Sequence, residues 1–262
     1  MIIYPKCKIN IGLSIVEKRA DGFHNLESLF VDEKNPSDIL EIVESDKLSI
    51  SVYGTELDCD DNSNICIKGY NLLKSEFDLP PVGIYLYKKI PAGAGLGGGS
   101  SDGACTLILL NRLFNLGIST TSLVKYASVL GSDCPFFIYS NLIKDNPERT
   151  CMYVTGRGDI LEPFPVTQLN DVRVEIVTPP IFVSTAEAYA GVVPALPEYS
   201  LKEVLKMPVE KWKDFIVNDF ETHIFDKYPQ LKIEKRRLYE RGALYASMSG
   251  SGSSLFGLFR RD

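Results

Sequence analysis

The sequence predicts an α+β protein of two lobes, because its strand-like and helix-like stretches are unevenly distributed. Alternating apolar and polar side chains, typical of strands, occur in the first ninety residues at 7–16, 38–44, 47–53 and 82–90. Helical periodicity dominates 200–241 instead. A chain of 262 residues is long enough for one or two domains. We therefore predict an N-terminal lobe over 1–155 and a C-terminal lobe over 156–262.

Further elements follow from capping and turn signals. Three helices are predicted in the N-terminal half at 63–77, 100–115 and 119–130. Ser63 or Asn64 is a suitable cap for the first helix, and Ser100 or Ser101 for the second. Strands are predicted in the C-terminal half at 172–178, 243–248 and 253–259. The last two are joined by the turn "SGSG".

Composition narrows the class of protein. The net charge of −6, without a basic stripe, argues against a general nucleic-acid binder or a membrane-surface protein. Six cysteines show no CxxC pair and no metal-ligand spacing with the two histidines, which favours reduced, packed thiols. The N-terminus has too few apolar residues for a signal peptide, and no apolar run approaches the ~20 residues of a membrane span. We expect a soluble, cytoplasmic protein.

The stretch "IPAGAGLGGGSSDGA" (90–104) is the most unusual feature of the sequence. A flexible linker explains it poorly, because a predicted strand enters and a predicted helix leaves with no spare residues. Gly93, Gly95 and Gly98 spell a dinucleotide-binding G-x-G-x-x-G, but the strand and acidic residue that should follow are missing. A Walker loop also fails, because Gly99 stands where its lysine would be.

The remaining interpretation is a phosphate-binding loop. Glycines allow backbone N–H groups to turn inward, and the helix that follows offers its free amides and its dipole to an anion. The hydroxyls of Ser100 and Ser101 are able to bind phosphate or Mg²⁺. The loop has no lysine of its own, so the positive charge must come from a metal ion or from elsewhere in the chain.

Three stretches together resemble a known superfamily. "PAGAGLGGGSSDGA" is similar to the P-x-x-x-G-L-G-G-G-S-S ATP loop of the galactokinase, homoserine kinase, mevalonate kinase and phosphomevalonate kinase (GHMP) superfamily. "PKCKINIGLSI" and "MSGSGSSLFGL" resemble its N-terminal and C-terminal motifs. "KCKINIGL", "RADGFHNLESLF" and "GSDCPFFI" are most similar to the branch that acts on 4-diphosphocytidyl-2-C-methyl-D-erythritol. The resemblance implies the two-lobed GHMP-kinase fold.

The resemblance also implies a reaction and its cofactors. ATP would phosphorylate the 2-hydroxyl of the methylerythritol unit, in the non-mevalonate pathway to isoprenoid precursors, with Mg²⁺ as the metal ion. The residues that correspond to the ATP-binding loop are Pro91, Gly93, Gly95, Leu96, Gly97, Gly98, Gly99, Ser100 and Ser101. No acidic Mg²⁺ ligand is identifiable from the sequence. The connection over 140–152 is longer than is usual in the family, which affects the expected metal ligation.

Asp133 and Lys8 correspond to the catalytic residues of the family. From local sequence alone Asp133 is a helix cap before Pro135, and Lys8 is a solvated strand lysine. The resemblance instead implies that Asp133 accepts the hydroxyl proton, while Lys8 lowers the pKa of that hydroxyl and balances charge. Asn10 shares a strand face with Lys8, and the resemblance implies that Asn10 contacts a substrate hydroxyl or phosphate.

The resemblance assigns further residues to the acceptor. Phe23 would stack on the cytosine ring, and His24 would read its hydrogen-bonding edge, although a lone histidine in a turn is commoner. Tyr189 aligns less closely with the second aromatic of that stack. Gly250 and Ser251 belong to "SGSGSS", which is otherwise a plain β-turn and here would support ATP and the substrate phosphates.

Two alternatives remain open. The chain could be another kinase of the superfamily, of homoserine or mevalonate type, although an aromatic–histidine pair suits a nucleobase better than a small aliphatic acid. It could also be a non-catalytic nucleotide-binding or RNA-contacting module, against which the presence of Lys8, Asp133 and the whole loop argues. We expect a small-molecule substrate, no nucleic-acid or membrane partner, and a monomer or homodimer.

Overall fold

The computed structural model describes residues 1–55, 63–142 and 149–261. The chain divides into two compact units that are interleaved along the sequence. The first unit comprises Met1–Lys8, Asp32–Ala92 and Gly97–Arg149. The second unit comprises Ile9–Val31, Gly93–Leu96 and Thr150–Asp262. The predicted domain division after residue 155 stays a prediction.

The elements are numbered here in chain order. The strands are β1 (Ile2–Ile3), β2 (Lys6–Lys18), β3 (His24–Ser37), β4 (Ile39–Glu44), β5 (Ser49–Gly54), β6 (Val82–Lys88), β7 (Cys151–Thr155), β8 (Ile160–Pro163), β9 (Val172–Val177), β10 (Tyr245–Met248) and β11 (Leu255–Arg260). The helices are α1 (Ile65–Lys74), α2 (Gly98–Leu113), α3 (Thr120–Leu130), α4 (Cys134–Leu142), α5 (Thr185–Ala190), α6 (Leu201–Val204), α7 (Val209–Trp212), α8 (Phe220–Lys227) and α9 (Pro229–Glu240).

The first unit is built on a four-stranded sheet in the order β1-β4-β6-β5. β4 pairs antiparallel with β6, and β5 pairs parallel with it. Alternate residues of β6 are buried, such as Ile84 and Leu86, while Tyr85 and Tyr87 between them are exposed. This period of two arises because successive strand side chains point to opposite faces. Helix α2 packs against β4 and is buried along most of its length, as its apolar composition predicts.

Two predicted helix starts of the first unit are confirmed. Asn64 caps α1 by accepting a hydrogen bond from the Cys66 amide at 2.9 Å. Ser119 caps α3 by accepting from the Ser122 amide at 3.2 Å. Helix α4 begins directly after Asp133, as the interpretation of Asp133 as a helix cap before Pro135 implies, although its extent is not predicted because a short apolar run resembles a buried strand as closely as a helix. Pro135 is its second residue, a position that tolerates proline.

The second unit contains a three-stranded antiparallel sheet in the order β10-β11-β9. Helices α6 to α9 occupy the stretch 200–241, where helical periodicity was predicted, and α9 packs against β10 and β11. Trp212, Tyr245 and Phe256 are among its largest fully buried side chains. Within the described ranges, none of the helices combines the length and the apolar character that crossing a membrane requires.

A second four-stranded sheet has the order β2-β3-β7-β8. The sequence does not predict β3, β7 or β8. β3 contains four Asp, Glu or Lys residues and Pro36, which hide its alternation, and β8 has only four residues. β3 pairs antiparallel with β7, so Ser28 lies opposite Val154 and Val31 opposite Cys151. His24 therefore begins a strand, and the turn that the "DGFH" stretch suggests lies just before it, at 20–22.

Candidate active site

Helix α2 begins at the end of the glycine run, and no side chain caps it. The helix begins at Gly98, and its N-cap is Gly97 in the left-handed region, at φ 71°. The prediction that Ser100 or Ser101 caps this helix is wrong, because both lie within its first turn. The first helical hydrogen bond runs from the Ser101 amide to the Gly97 carbonyl at 2.9 Å. The amides of the three residues before Ser101 therefore point out of the helix N-terminus, where they suit an anion.

Each of the three consecutive glycines has a different surrounding. A Cβ on Gly97 would lie 3.0 Å from the Phe137 ring and 3.1 Å from Cγ of Lys8. A Cβ on Gly98 would lie 2.7 Å from Cγ2 of Ile90. A Cβ on Gly99 would meet nothing within 4 Å. The first two glycines thus permit close packing, whereas Gly99 faces open space at the exposed end of the helix.

Lys8 and Asp133 lie together in the first unit. Lys8 Nζ is 3.5 Å from Asp133 Oδ2. The Lys8 side chain is 5 % exposed, so it is not the solvated strand lysine that local sequence suggests, while that of Asp133 is 26 % exposed. Asp133 directly precedes α4, and the Lys8 stem lies against Gly97. A partly exposed carboxylate beside a buried ammonium suits proton acceptance with charge balance.

A buried ionic network supports the start of α2. Lys88, at the end of β6, donates to Asp38 Oδ2 and, at 2.6 Å, to Asp102 Oδ2. Asp38 Oδ1 also accepts from the amides of Lys89 and Ile90 at 2.6 and 2.8 Å. Burial raises the pKa of the Asp102 carboxyl, although the Lys88 ammonium opposes that shift. The rise reflects the cost of burying two carboxylates with one ammonium.

The serines of the loop differ in their access to a metal ion. Ser101 is fully buried, and its hydroxyl oxygen has no hydrogen-bond partner within the described residues. Ser100 is partly exposed, and its Oγ would be 4.0 Å from a Cβ on Gly131. In the described ranges, no three His, Cys, Asp or Glu side chains are grouped so as to hold a metal. Mg²⁺ keeps several of its waters and also binds nucleotide phosphates, so it needs few protein ligands, and the hydroxyl of a phosphate-loop serine such as Ser100 can be one of them.

In the second unit, the loop 249–252 is held from two sides. Ser249 Oγ donates to the Gly95 carbonyl at 2.9 Å, and a Cβ on Gly95 would lie 2.0 Å from the Ser249 carbonyl oxygen. Asn218 Nδ2 donates to the carbonyls of Met248 and Gly250, both at 2.9 Å. A Cβ on Gly250 would lie 3.4 Å from Asn10 Oδ1. The structure thus brings Asn10, Gly95 and Gly250 together, and the predicted Ser251 follows in the same loop.

The ring side chains that the sequence assigns to the acceptor, Phe23, His24 and Tyr189, differ in their exposure and in their contacts. Phe23 is 54 % exposed, and the Arg157 guanidinium lies over its ring at 4.9 Å from the ring centroid. The His24 ring stacks on Tyr189, with centroids 4.9 Å apart and an angle of 25° between the planes. Tyr189 also contacts Phe220 edge to face. One ring face of Tyr189 is therefore covered by His24, which the sequence does not predict.

Pro91, Gly93 and Leu96 are the remaining predicted residues of the glycine run. Pro91 begins it in the first unit, and Leu96 is fully buried. A Cβ on Gly93 would lie 2.8 Å from the ring of Phe182, which is 71 % exposed. Sequence reasoning missed both Phe182 and Asn218. The stretch "PPIF", in which an aromatic residue follows two prolines, could have indicated an exposed Phe182. The carbonyls that Asn218 contacts lie about thirty residues away along the chain, so no local pattern indicates Asn218.

Comparisons with known proteins show the family to which the chain belongs. The model of the GHMP kinases N terminal domain matches residues 64–141, and the model of the GHMP kinases C terminal matches 194–262. The chain is 47 % identical, over 100 % of its length and 93 % of the relative's, to the 4-diphosphocytidyl-2-C-methyl-D-erythritol kinase of Bacteroides thetaiotaomicron. The chain belongs to this family of GHMP kinases. The two-lobed α+β fold class is thereby confirmed.

Other members and solved structures support the assignment. The kinase of the same name from Cytophaga hutchinsonii is 42 % identical, over 99 % of this chain and 92 % of the relative. A crystal structure of 4-(cytidine 5'-diphospho)-2C-methyl-D-erythritol kinase aligns with a TM-score of 0.79 at 29 % identity, over 98 % of this chain and 90 % of the other. A mevalonate kinase aligns with a TM-score of 0.66 at 14 % identity, over 99 % and 91 % of the two chains, which shows a shared fold only.

Proposed function

We propose that this GHMP kinase transfers the γ-phosphoryl group of ATP to the 2-hydroxyl of 4-diphosphocytidyl-2-C-methyl-D-erythritol. The observation that carries the proposal is the Lys8–Asp133 pair, 3.5 Å apart, with the Lys8 stem against Gly97, the N-cap of α2. The pair supplies a proton acceptor and a cation, and α2 supplies free amides for phosphate. Phosphoryl transfer requires positioning, charge stabilisation and a destination for the proton.

The roles of the residues follow from this geometry. Asp133 accepts the proton of the 2-hydroxyl while the hydroxyl oxygen forms its bond to the γ-phosphorus. The bond from the γ-phosphorus to its bridging oxygen breaks at the same centre, and ADP leaves. Lys8 stabilises the negative charge that develops on the attacking oxygen. The amides of Gly98, Gly99 and Ser100 bind phosphate oxygens at the N-terminus of α2.

Mg²⁺ is proposed as the metal ion that accompanies ATP. Bound to the nucleotide, it would neutralise phosphate charge. Ser100 is the residue that would hold it, because its hydroxyl is partly exposed in the first turn of α2. Ser101 is the weaker candidate, since its hydroxyl oxygen is buried.

The cytosine of the acceptor is proposed to stack on Phe23. Arg157 covers one face of that ring, and the exposed fraction of Phe23 leaves contact area for a base. Base–aromatic stacking contributes about 1–3 kcal/mol whatever the base, so discrimination must come from hydrogen bonds near His24. Tyr189 needs its ring face uncovered before it can take part in the stack. Phe182 is a second candidate for that role, on the observation that it is an exposed aromatic beside Gly93.

Gly99→Val tests the phosphate-binding loop. Gly97 and Gly98 are packed against side chains of the first unit, so valine there would also disturb packing. Valine at Gly99 enters open space in front of the free amides, and we expect the KM for ATP to rise about ten- to hundredfold. Thr121→Val is the matched control, because Thr121 is the exposed second residue of α3 as Gly99 is of α2. Equal KM values for ATP in the two variants would indicate that the glycine run has only a structural role.

An ADP-release assay with a panel of acceptors tests the proposed function. We expect turnover with the cytidine-diphosphate acceptor and none with homoserine or mevalonate. The uridine form reverses the hydrogen-bonding pattern of the base, and we expect its kcat/KM to fall about ten- to hundredfold. Phe23→Ala should weaken both nucleotide forms equally, because stacking does not distinguish them. Equal kcat/KM for the two forms in the unmodified enzyme would contradict cytosine selection, and turnover with homoserine or mevalonate alone would overturn the function.

We propose that the enzyme acts in the cytoplasm on small molecules. Among the cysteines of the described ranges, Cys7, Cys66, Cys105 and Cys134 are free and buried, which suits a reducing compartment. Burial raises the pKa of the Cys134 thiol to about 12, so this neighbour of Asp133 stays protonated and unreactive at neutral pH. The absence of nucleic-acid partners and a monomeric or homodimeric state stay predictions.

A further inference from the structure

A buried serine of the second unit, Ser28, contacts the proposed acceptor residue Asn10. Ser28 lies on β3 with no exposed surface, and Asn10 lies on β2 with 1 % of its surface exposed. Asn10 Nδ2 donates to Ser28 Oγ at 3.1 Å. Ser28 Oγ donates in turn to the backbone carbonyl of Gly12 at 2.5 Å. The three groups form a short directional chain of hydrogen bonds.

The Gly12 carbonyl fixes the direction of this chain. A carbonyl oxygen accepts but cannot donate, so at 2.5 Å the single hydroxyl hydrogen of Ser28 must point toward it. Ser28 Oγ then has only lone pairs to offer Asn10, which must present its amide nitrogen. The reversed amide would bring Asn10 Oδ1 against a serine oxygen with no hydrogen between them, which is unfavourable in a buried position. Ser28 therefore sets the orientation of the Asn10 amide.

With its nitrogen on Ser28, Asn10 turns its oxygen toward the loop 249–252. Asn10 Oδ1 lies 3.4 Å from the position of a Cβ on Gly250. We infer that Ser28 is a positioning residue, which holds Asn10 so that its oxygen accepts a hydrogen bond from a hydroxyl of the methylerythritol unit. The inference rests on the proposed function. The Asn10 oxygen so oriented can accept from a hydroxyl but not from an ionised phosphate oxygen, which has no hydrogen to donate.

Kinetics of Ser28 variants test this role. We expect Ser28→Ala to lower kcat/KM for the acceptor about tenfold and to leave the KM for ATP unchanged. Ser28→Thr keeps the hydroxyl and should restore kcat/KM to within about threefold. Ser140→Ala is the matched control, because Ser140 is a buried serine of the first unit whose hydroxyl donates to Asp32 at 2.8 Å. Ser140→Ala should leave kcat/KM within about twofold of the unmodified enzyme.

A double-mutant cycle separates positioning from a general packing effect. If Ser28 acts through Asn10, Ser28→Ala should add no further loss of kcat/KM in an Asn10→Ala background. Additive losses would overturn the inference, as would an unchanged kcat/KM in Ser28→Ala when the unmodified enzyme is active.

Hydrogen exchange of the Asn10 side-chain amide gives a readout that does not need turnover. The resonance is assigned by NMR from its absence in Asn10→Ala. We expect its exchange with solvent to be at least about tenfold faster in Ser28→Ala than in the unmodified protein, because the hydrogen bond to Ser28 is lost. Equal exchange rates would contradict the inference. An unmodified enzyme that releases no ADP would instead contradict the proposed function. The exchange measurement would still test whether Ser28 holds the Asn10 amide.

Discussion

Asp133→Asn is expected to bind ATP and the acceptor normally and to lose a factor of ~10²–10⁴ in kcat. Asparagine keeps the shape of the side chain beside Lys8 but cannot take the hydroxyl proton. The two KM values should change little, because the carboxylate acts in the transition state and not in uniform binding. Steady-state kinetics of ADP release, with ligand titration of the variant, measure both effects.

Asp46→Asn is the matched control for this substitution. Asp46 is an exposed aspartate of the first unit, so the variant makes the same change of charge away from Lys8. Its kcat should stay within about twofold of the unmodified enzyme. A kcat of Asp133→Asn close to that of Asp46→Asn would leave Asp133 with only the helix-start role that its position before α4 suggests.

Lys88→Met is expected to destabilise the protein by about 3–5 kcal/mol, because it leaves two buried carboxylates without their cation. Lys88 is 2 % exposed at its side chain and bridges Asp38 and Asp102, which are equally buried. Equilibrium urea unfolding gives the free energy of unfolding of each variant, provided that the transition is two-state. Part of the lost stability should return in the double variant Lys88→Met/Asp102→Asn, which removes one of the unpaired carboxylates.

The neighbouring lysine provides the comparison for Lys88. Lys89 is exposed, and its Nζ lies 5.8 Å from the centroid of the Tyr87 ring. Lys89→Met removes the same charge and should change stability by less than about 1 kcal/mol. Similar unfolding free energies for Lys88→Met and Lys89→Met would show that the buried network does not support the start of α2.

Local signals account for the parts of the fold that the sequence predicts. Asn64 and Ser119 are short polar side chains before apolar periodic stretches, so the starts of α1 and α3 are readable. The predicted start of α2 is wrong because Gly97 ends the loop through its backbone conformation. A prediction that looks only for capping side chains does not detect such a start. The alternation of β3 is hidden by charged residues and Pro36, although tertiary pairing with β7 makes it a strand.

The candidate site likewise contains residues that the sequence indicates and residues that it does not. Lys8, Asp133 and the glycine run stand in continuous motifs, which is why sequence resemblance indicates them. The Lys88 network joins residues that are 50 and 14 positions apart, and Asn218 reaches carbonyls 30 and 32 positions away. Such pairings depend on the folded chain and have no local pattern. The stacking of His24 on Tyr189 likewise joins distant residues, so the sequence resemblance predicts a role at the base for each of them but does not show that they cover each other.

The position of the new phosphate tests the central claim most directly, because it reports both the acceptor and the hydroxyl that reacts. The product of ATP and 4-diphosphocytidyl-2-C-methyl-D-erythritol is examined by phosphorus NMR with proton coupling retained. The 2-hydroxyl stands on a tertiary carbon that carries no hydrogen, so we predict one new phosphate-ester resonance without three-bond coupling to a proton. A doublet or triplet would place the phosphate on another hydroxyl, and an absent ester resonance with intact ATP would contradict the proposed reaction altogether.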